Sequence, residues 1–129
     1  MFTYDDSAVR IAAAAFATGP ERFLNELKQE AETEGQFLVE RVQANAPYKT
    51  GDLANSIHFA VQEAQGNVNI ELRAGVPYAL AVHERPGDVD GSQPEGGRGP
   101  KFFMRVLDFH RKRLEALVQR VSNRVLVGK

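Results

Sequence analysis

The sequence predicts an α+β fold, in which a small antiparallel sheet of about three to four strands packs against a long N-terminal helix and a C-terminal helix. Two observations support this prediction. Apolar residues recur at three- and four-residue spacing before residue 46 and after residue 100, and they alternate with polar residues between 57 and 73. The predicted order is α-α-β-β-β-loop-α, in a single domain covering residues 1–129.

The N-terminal half is predicted to form two helices. Because alanine has the highest helix propensity, an alanine-rich helix is expected over Ala8–Ala17, and Gly19-Pro20 should end it. A longer helix is expected over Pro20–Asn45, where apolar residues form one stripe. Gly35 lies in the middle of this helix at a cost of about 1 kcal/mol relative to alanine, which suggests close packing or a bend at that position.

A turn-rich hinge, A-P-Y-K-T-G-D-L-A-N-S-I at residues 46–57, separates the helical half from the sheet. Pro47 lacks a backbone donor and should end the long helix. Thr50 is expected to cap a short turn, followed by Gly51. Leu53 and Ile57 lie four residues apart and can enter the same core. The role predicted for these five residues is structural.

The sheet is predicted from three runs of residues. Ile57–Val61 and Val68–Leu72 alternate between apolar and polar residues, and a turn at 64–67 joins them as a β-hairpin. A third strand is expected over Tyr78–His83, after Pro77. Each strand has one apolar face, as in an antiparallel sheet that helices cover on one side.

A loop and a helix are predicted to complete the chain. Arg85–Gly99 contains seven glycine or proline residues and almost no apolar ones, so it is expected to be a mobile loop, ordered when a partner docks. The last helix should run from about Pro100 to Val125, because its apolar residues again follow helical spacing.

The charges of the chain are divided between its two ends. The net charge is −1, yet residues 98–129 contain nine Lys or Arg against Asp108 and Glu115, a local excess of +7. The acidic residues crowd into the segment Glu21–Glu40. This division suggests attraction between the acidic and basic helices, within one subunit or between subunits, and two independently solvated helix faces are the alternative.

The sequence contains no recognisable catalytic or metal-binding motif. The absence of cysteine excludes disulfides and thiolate metal sites and predicts a reducing compartment. His58, His83 and His110 do not have the spacing of a metal-binding motif, and no phosphate-binding glycine loop has the required spacing. No apolar run is long enough to span a membrane, and the N-terminus lacks the features of a signal peptide. No enzyme, cofactor or metal is therefore predicted.

The basic C-terminal segment allows an alternative function, a small nucleic-acid-binding module. Such contacts with phosphates would be independent of base sequence and sensitive to salt. The residues concerned are Arg105, Arg111, Lys112, Arg113, Arg120 and Arg124.

Four motifs, in order along the chain, resemble those of a bacteriophage family. The hinge is similar to the signature AP-x-x-TG-x-L-x-x-SI, and it follows a long helix and precedes a hairpin. Tyr78–Glu84 resembles a strand of the form YA-x-x-V-[H/E]-E, and the segment 85–99 is similar to a variable loop rich in glycine and proline. Pro100–Phe103 resembles the start of the last helix. The family is the tail-completion, or head–tail joining, family of tailed phages, also described as gene-product-ten-like proteins of lambdoid phages.

This resemblance implies a non-enzymatic virion protein of the neck or tail, made in the cytoplasm of the bacterial host. It implies a homo-oligomeric ring, usually a hexamer, that joins the head connector to the tail around the DNA channel. The partners would be other copies and neighbouring connector and tail proteins, with DNA only in passing and no membrane. The residues expected to form the partner and oligomer interface are His83, Glu84, Arg85, Asp88, Asp90, Arg98, Lys101, Arg111 and Arg113.

Overall fold

Helices and strands cover most of the described chain. The computed structural model describes residues 2–4, 10–18, 21–47, 51–64 and 67–128, with side chains in 21–47, 51–63, 68–79 and 81–125. The elements are β1 (Phe2–Tyr4), β2 (Arg10–Thr18), α1 (Glu21–Asn45), α2 (Asp52–Asn55), β3 (Ile57–Ala64), β4 (Asn67–Ala74), α3 (Ala79–Glu84), α4 (Phe102–Phe109) and α5 (Arg111–Gly128). The sheet order is β1-β2-β4-β3, with antiparallel pairing between neighbours.

The long helix and the hairpin lie where the sequence predicted them. Helix α1 covers Glu21–Asn45, and its predicted apolar stripe is buried. The predicted first residue, Pro20, lies outside the described residues. Strands β3 and β4 pair in continuous register from Ile57 opposite Ala74 to Ala64 opposite Asn67. Residues 65–66 of the predicted turn lie outside the described residues. The α+β class is therefore confirmed through a long N-terminal helix, an antiparallel hairpin and C-terminal helices.

The predicted alanine-rich helix is wrong. Residues Arg10–Thr18 form the strand β2, which pairs with β4 from Arg10 opposite Arg73 to Thr18 opposite Asn67. Helix propensity is a weak preference that tertiary pairing overrides, and β4 offers a backbone edge that the isolated sequence pattern does not reveal. Residues 8 and 9 lie outside the described part of the chain.

The predicted third strand is also wrong. Residues Ala79–Glu84 form the short helix α3, with Ala79 and His83 both fully buried. A spacing of four residues places both on one helical face, and a six-residue run cannot be assigned to helix or strand by its periodicity alone. The predicted number of three to four strands included this segment, so that number is not confirmed, and the predicted element order is wrong as well.

The predicted last helix is interrupted. Helix α4 ends at Phe109, His110 has φ −99° and ψ 14°, and α5 begins at Arg111. The first helical residue is Phe102 rather than Pro100, because Lys101 adopts a left-handed conformation with φ 59°. The break at His110 turns its imidazole towards the loop described below.

The core lies between the helices and one face of the hairpin. Leu53 and Ile57 of the hinge are buried in it, together with Ile70 and Leu72 of β4 and Phe103 of α4. A second buried cluster lies where the N-terminal half of α1 meets α5; it consists of Phe23, Leu24, Leu27, Val68, Leu117 and Val121.

Glycine is required at positions 51 and 35 for different structural reasons. Gly51 occupies the N-cap position of α2 with φ 88°, a backbone conformation that glycine adopts without a steric penalty. Gly35 allows α1 to approach the sheet, since a Cβ at that position would lie 2.2 Å from Cδ2 of Phe59. The close packing predicted for Gly35 is thus confirmed. Thr50, the predicted cap, lies outside the described residues.

Candidate partner interface

Glu95 fastens the loop between α3 and α4 to the C-terminal end of α1. Its side chain is buried and accepts hydrogen bonds from Arg41, Nε to Oε2 and Nη2 to Oε1, both at 2.8 Å. Asn45 Nδ2 lies 3.1 Å from Oε1, and His110 Nε2 lies 2.6 Å from Oε2. These partners, Arg41 foremost, hold the pKa of the Glu95 carboxyl well below its usual range, against the effect of burial.

Arg105 of α4 binds the backbone of the same loop. Its guanidinium donates to the carbonyl oxygens of Pro100 at 2.8 Å, Glu95 at 3.0 Å and Gly99 at 3.2 Å, and to Asn45 Oδ1 at 3.2 Å. Burial lowers the pKa of Arg105, with Glu95 opposing that shift. The loop carbonyls therefore have a half-buried cationic donor.

Two further hydrogen bonds connect the loop with the end of α1. The Gly97 amide donates to Asn45 Oδ1 at 2.9 Å, and Arg98 Nη1 donates to the Ala46 carbonyl at 2.6 Å. Gly97 has φ 100°, and a Cβ there would lie 2.1 Å from Asp90 Oδ1, so only glycine fits this approach.

Asp90 organises the exposed tip of the loop. Its Oδ1 accepts hydrogen bonds from the Ser92 amide at 3.0 Å, the Ser92 hydroxyl at 2.6 Å and the Arg98 amide at 2.9 Å. The Asp90 amide donates to the Arg98 carbonyl at 3.1 Å, and Gly91 donates to Gly96 at 2.7 Å. The bonds from Ser92 lower the pKa of the Asp90 carboxyl. Two of the predicted interface residues, Asp90 and Arg98, are thus brought together.

Three other predicted interface residues meet at the start of α4. His83 Nδ1 lies 2.8 Å from Glu84 Oε2, and Glu84 also pairs with Lys101. The Lys101 amide donates to the His83 carbonyl at 2.8 Å. Burial lowers the pKa of His83, while Lys101 and then His83 lower the pKa of Glu84. Glu84 and Lys101 are exposed, whereas His83 is buried between Phe102 and Phe103 and is not available to a partner.

The acidic and basic helices meet within one chain. Arg113 of α5 pairs with the buried Glu34 of α1 and lies 4.0 Å from the centroid of the Phe37 ring. Further along the same two helices, Arg124 Nη2 lies 2.9 Å from Glu26 Oε1. Arg120 and Arg124 also approach Glu30, at 3.3 and 3.4 Å. The charge pattern left open whether the acidic and basic helices attract each other within one subunit or between subunits, or are solvated independently. In the structure they contact each other within one chain.

These pairs bear on the nucleic-acid alternative. Arg105 is engaged with the loop, and Arg113, Arg120 and Arg124 face carboxylates of α1. Arg111 and Lys112 are exposed at the start of α5. Arg113, Arg120 and Arg124 remain exposed, but each faces a carboxylate of the same chain, so the net positive charge offered to phosphates is reduced, which weakens the case for phosphate binding by this helix.

A surface groove lies between the hinge and α3. It has a volume of about 510 Å³. Among the described residues its lining consists of Pro47, Gly51, Asp52, Leu53, Tyr78, Ala81, Val82 and Arg85. A smaller groove of about 210 Å³ continues from it along the loop, past Asp88. Two predicted interface residues, Arg85 and Asp88, are exposed at these grooves, apart from the cluster around Glu84.

Sequence reasoning did not find the residues that fasten the loop. Glu95 stands in a run of glycine and proline, and its partners Arg41 and Asn45 lie 54 and 50 positions away. A single acidic residue in a polar loop has no pattern that distinguishes a buried anchor from a solvated side chain. The exposed aromatic residues Tyr78 and Phe109 were also not singled out by the sequence patterns.

Comparison with known proteins identifies the class of this chain as a component of a phage tail. Residues 13–83, more than half of the chain, match a family described as "Bacteriophage HK97-gp10, putative tail-component". The chain belongs to this HK97-gp10-like family, which confirms the resemblance found in its motifs. No curated protein and no solved structure gives a significant match.

Membership implies a virion protein that contacts other virion proteins. Among the described helices, none is long and apolar enough to cross a membrane. The described side chains also contain no group of three or more His, Asp or Glu residues arranged to hold a metal ion.

Proposed function

We propose that this chain is a non-enzymatic structural subunit of the phage neck, in a ring that joins the tail to the head connector around the DNA channel. The observation that carries the proposal is the match of residues 13–83 to a family of phage tail components. The ring, with six copies as the expected number, would contact DNA only in passing. The neighbours would be connector and tail proteins.

The fastened loop supports a role in docking. A surface that is already ordered loses less conformational entropy when a partner binds. Residues 90–101 are held by Asp90, Glu95 and Arg105, so they present a preformed surface. The mobility predicted for residues 85–99 stays a prediction. The exposed residues Glu84, Arg85, Asp88, Lys101 and Arg111 remain the proposed contacts.

Removal of the gene from the phage that encodes this chain tests the function. We expect filled heads and free tails that do not join, seen by negative-stain electron microscopy, and joining should return when the purified protein is added. Complete infectious particles without the protein would contradict the proposal. Heads without tails together with an absence of free tails would indicate a role in building the tail rather than in joining it.

A further inference from the structure

Phe109 is a fixed and exposed aromatic side chain at the C-terminal end of α4. It is 55% exposed, more than Tyr78 and Val89, the other exposed large apolar residues of the described chain. Its ring packs against the ring of His110, with 4.9 Å between centroids, and His110 is bound to the buried Glu95. The anchor of the loop therefore also supports Phe109.

The groove beside α3 lies at the opposite end of α4. The Lys101 amide binds the His83 carbonyl, so the start of α4 contacts α3, whose residue Val82 lines the groove. Phe109 is seven residues further along, a rise of about 10 Å in a helix. The projecting ring and the groove are thus separate parts of the surface, as a head-to-tail contact requires.

The charges around the two features are complementary. The groove carries Asp52 and Arg85, both exposed at its edge. Along the chain, Phe109 follows the exposed Asp108 and precedes, after His110, the exposed Arg111 and Lys112. A neighbouring copy could therefore place Asp108 near Arg85 and its basic residues near Asp52, and the apolar centre would have a charged rim, as in protein interfaces generally.

We propose that Phe109 of one copy inserts into the groove beside α3 of the next copy, with Asp108 facing Arg85 across the contact. This inference rests on the proposed ring and identifies the surfaces that build it. A contact between two different patches repeats from copy to copy, and it closes into a ring when the rotation between copies permits. Aromatic side chains in a desolvated groove dominate the binding energy of such interfaces. Removal of the Phe109 phenyl group should therefore weaken association between copies at least about tenfold.

Cross-linking between engineered cysteines tests the contact, because the natural chain contains no cysteine. We would prepare Arg85→Cys and Asp108→Cys as separate proteins, mix them and oxidise them. The mixture should form disulfide-linked heterodimers at least tenfold faster than either protein alone forms homodimers. Adding Phe109→Ser to Asp108→Cys should remove this difference in rate, and so should adding Ala81→Arg to Arg85→Cys. The control is Val89→Ser, the matched change at another exposed apolar residue, which should leave the difference in place.

Any of three results would overturn the inference. One is a mixture that cross-links no faster than the separate proteins, and another is a fast reaction that Phe109→Ser does not slow. Faster homodimers of Asp108→Cys would show a two-fold symmetric contact instead and would also overturn it. Native mass spectrometry of the unmodified protein, and imaging of tails, separate this failure from that of the proposed function. If oligomeric rings are seen but the cross-link does not form, only the proposed contact is wrong. If neither the purified protein nor the tails show rings, the proposed ring is wrong as well.

Discussion

Arg41 and Glu95, which are 54 residues apart in sequence, form two parallel hydrogen bonds of 2.8 Å each between guanidinium and carboxylate. The Glu95 side chain is only 1% exposed, while that of Arg41 is 26% exposed. This pair joins the C-terminal part of α1 to a loop without helix or strand, and His110 and Asn45 complete the contact. The buried Glu95 carboxylate is therefore one of the groups that hold residues 90–101, beside Asp90 and Arg105.

Replacement of Glu95 should destabilise the protein and release the loop. Glu95→Gln keeps the shape of the side chain but leaves Arg41 without its charged partner, and loss of one member of a buried ion pair costs about 3–5 kcal/mol. Because Arg41 is only half-buried, we expect a smaller loss, a free energy of unfolding in urea that is lower by about 1–3 kcal/mol, and faster proteolysis within the loop. Glu32→Gln, at an exposed position of α1, is the matched control. Equal stability of the two variants would show that the pair does not hold the loop.

Acidic pH should lower the unfolding free energy of the protein, in part through protonation of the Glu95 carboxylate. The pKa of Glu95 is lower in the folded protein than in the unfolded chain, whose glutamates titrate near about 4.3. The unfolded state therefore binds more protons below that value, and the stabilisation present at neutral pH is lost as the pH falls through the folded pKa. A plot of unfolding free energy against pH should fall less steeply below about pH 5 in Glu95→Gln than in the natural protein. Parallel curves would refute this assignment.

His83 should cause a separate loss of stability at milder pH. Burial lowers its pKa, although the hydrogen bond to the Glu84 carboxylate opposes the shift, so the folded state resists protonation that the unfolded chain accepts at about pH 6.5. Stability should accordingly decrease as the pH drops through that value. Urea unfolding between pH 5.5 and 7.5 should show a smaller slope in His83→Gln. The control His58→Gln removes an exposed histidine and should leave the slope of the natural protein unchanged.

The parts that the sequence predicted correctly are those with a long local pattern. The stripe of α1 extends over 25 residues, and the hairpin shows two alternating runs joined by a turn. Strand β2 could not be recognised, because four consecutive alanines favour a helix until β4 supplies a pairing edge. The six residues of α3 were too few for their period to decide between helix and strand.

The candidate interface was predictable in part. Net charge along the chain indicated that the acidic and basic helices attract each other, and the pair between Glu34 and Arg113 is one result. Glu95 was not predictable, because its role depends on three partners from α1 and from the break after α4. Local patterns report which face of an element is apolar; they do not report which loop residue a distant helix will bind.

Alanine at Gly35 should destabilise the protein although it favours the helix. The added Cβ would lie 2.2, 2.4 and 2.8 Å from Cδ2, Cε2 and Cγ of Phe59. Overpacking of this kind costs about 1–3 kcal/mol, against a gain of up to about 1 kcal/mol in helix propensity. We expect Gly35→Ala to lower the unfolding free energy by about 1 kcal/mol. In a Phe59→Leu background the same change should be neutral or stabilising, and a loss that persists there would exclude the clash as its cause.

Arg113 and Arg111, two residues apart on α5, should respond differently to removal of their charge. Arg113 pairs with Glu34, whose side chain is 7% exposed, and it covers the Phe37 ring at 4.0 Å. Arg113→Ala leaves a buried carboxylate without that donor, at a cost of about 1–3 kcal/mol, whereas Arg111→Ala at an exposed position should cost no more than about 0.5 kcal/mol. Urea unfolding measures the difference, and Glu34→Gln added to Arg113→Ala should recover part of the loss. If both arginine variants unfold at the same urea concentration, the contact between α1 and α5 does not depend on this pair.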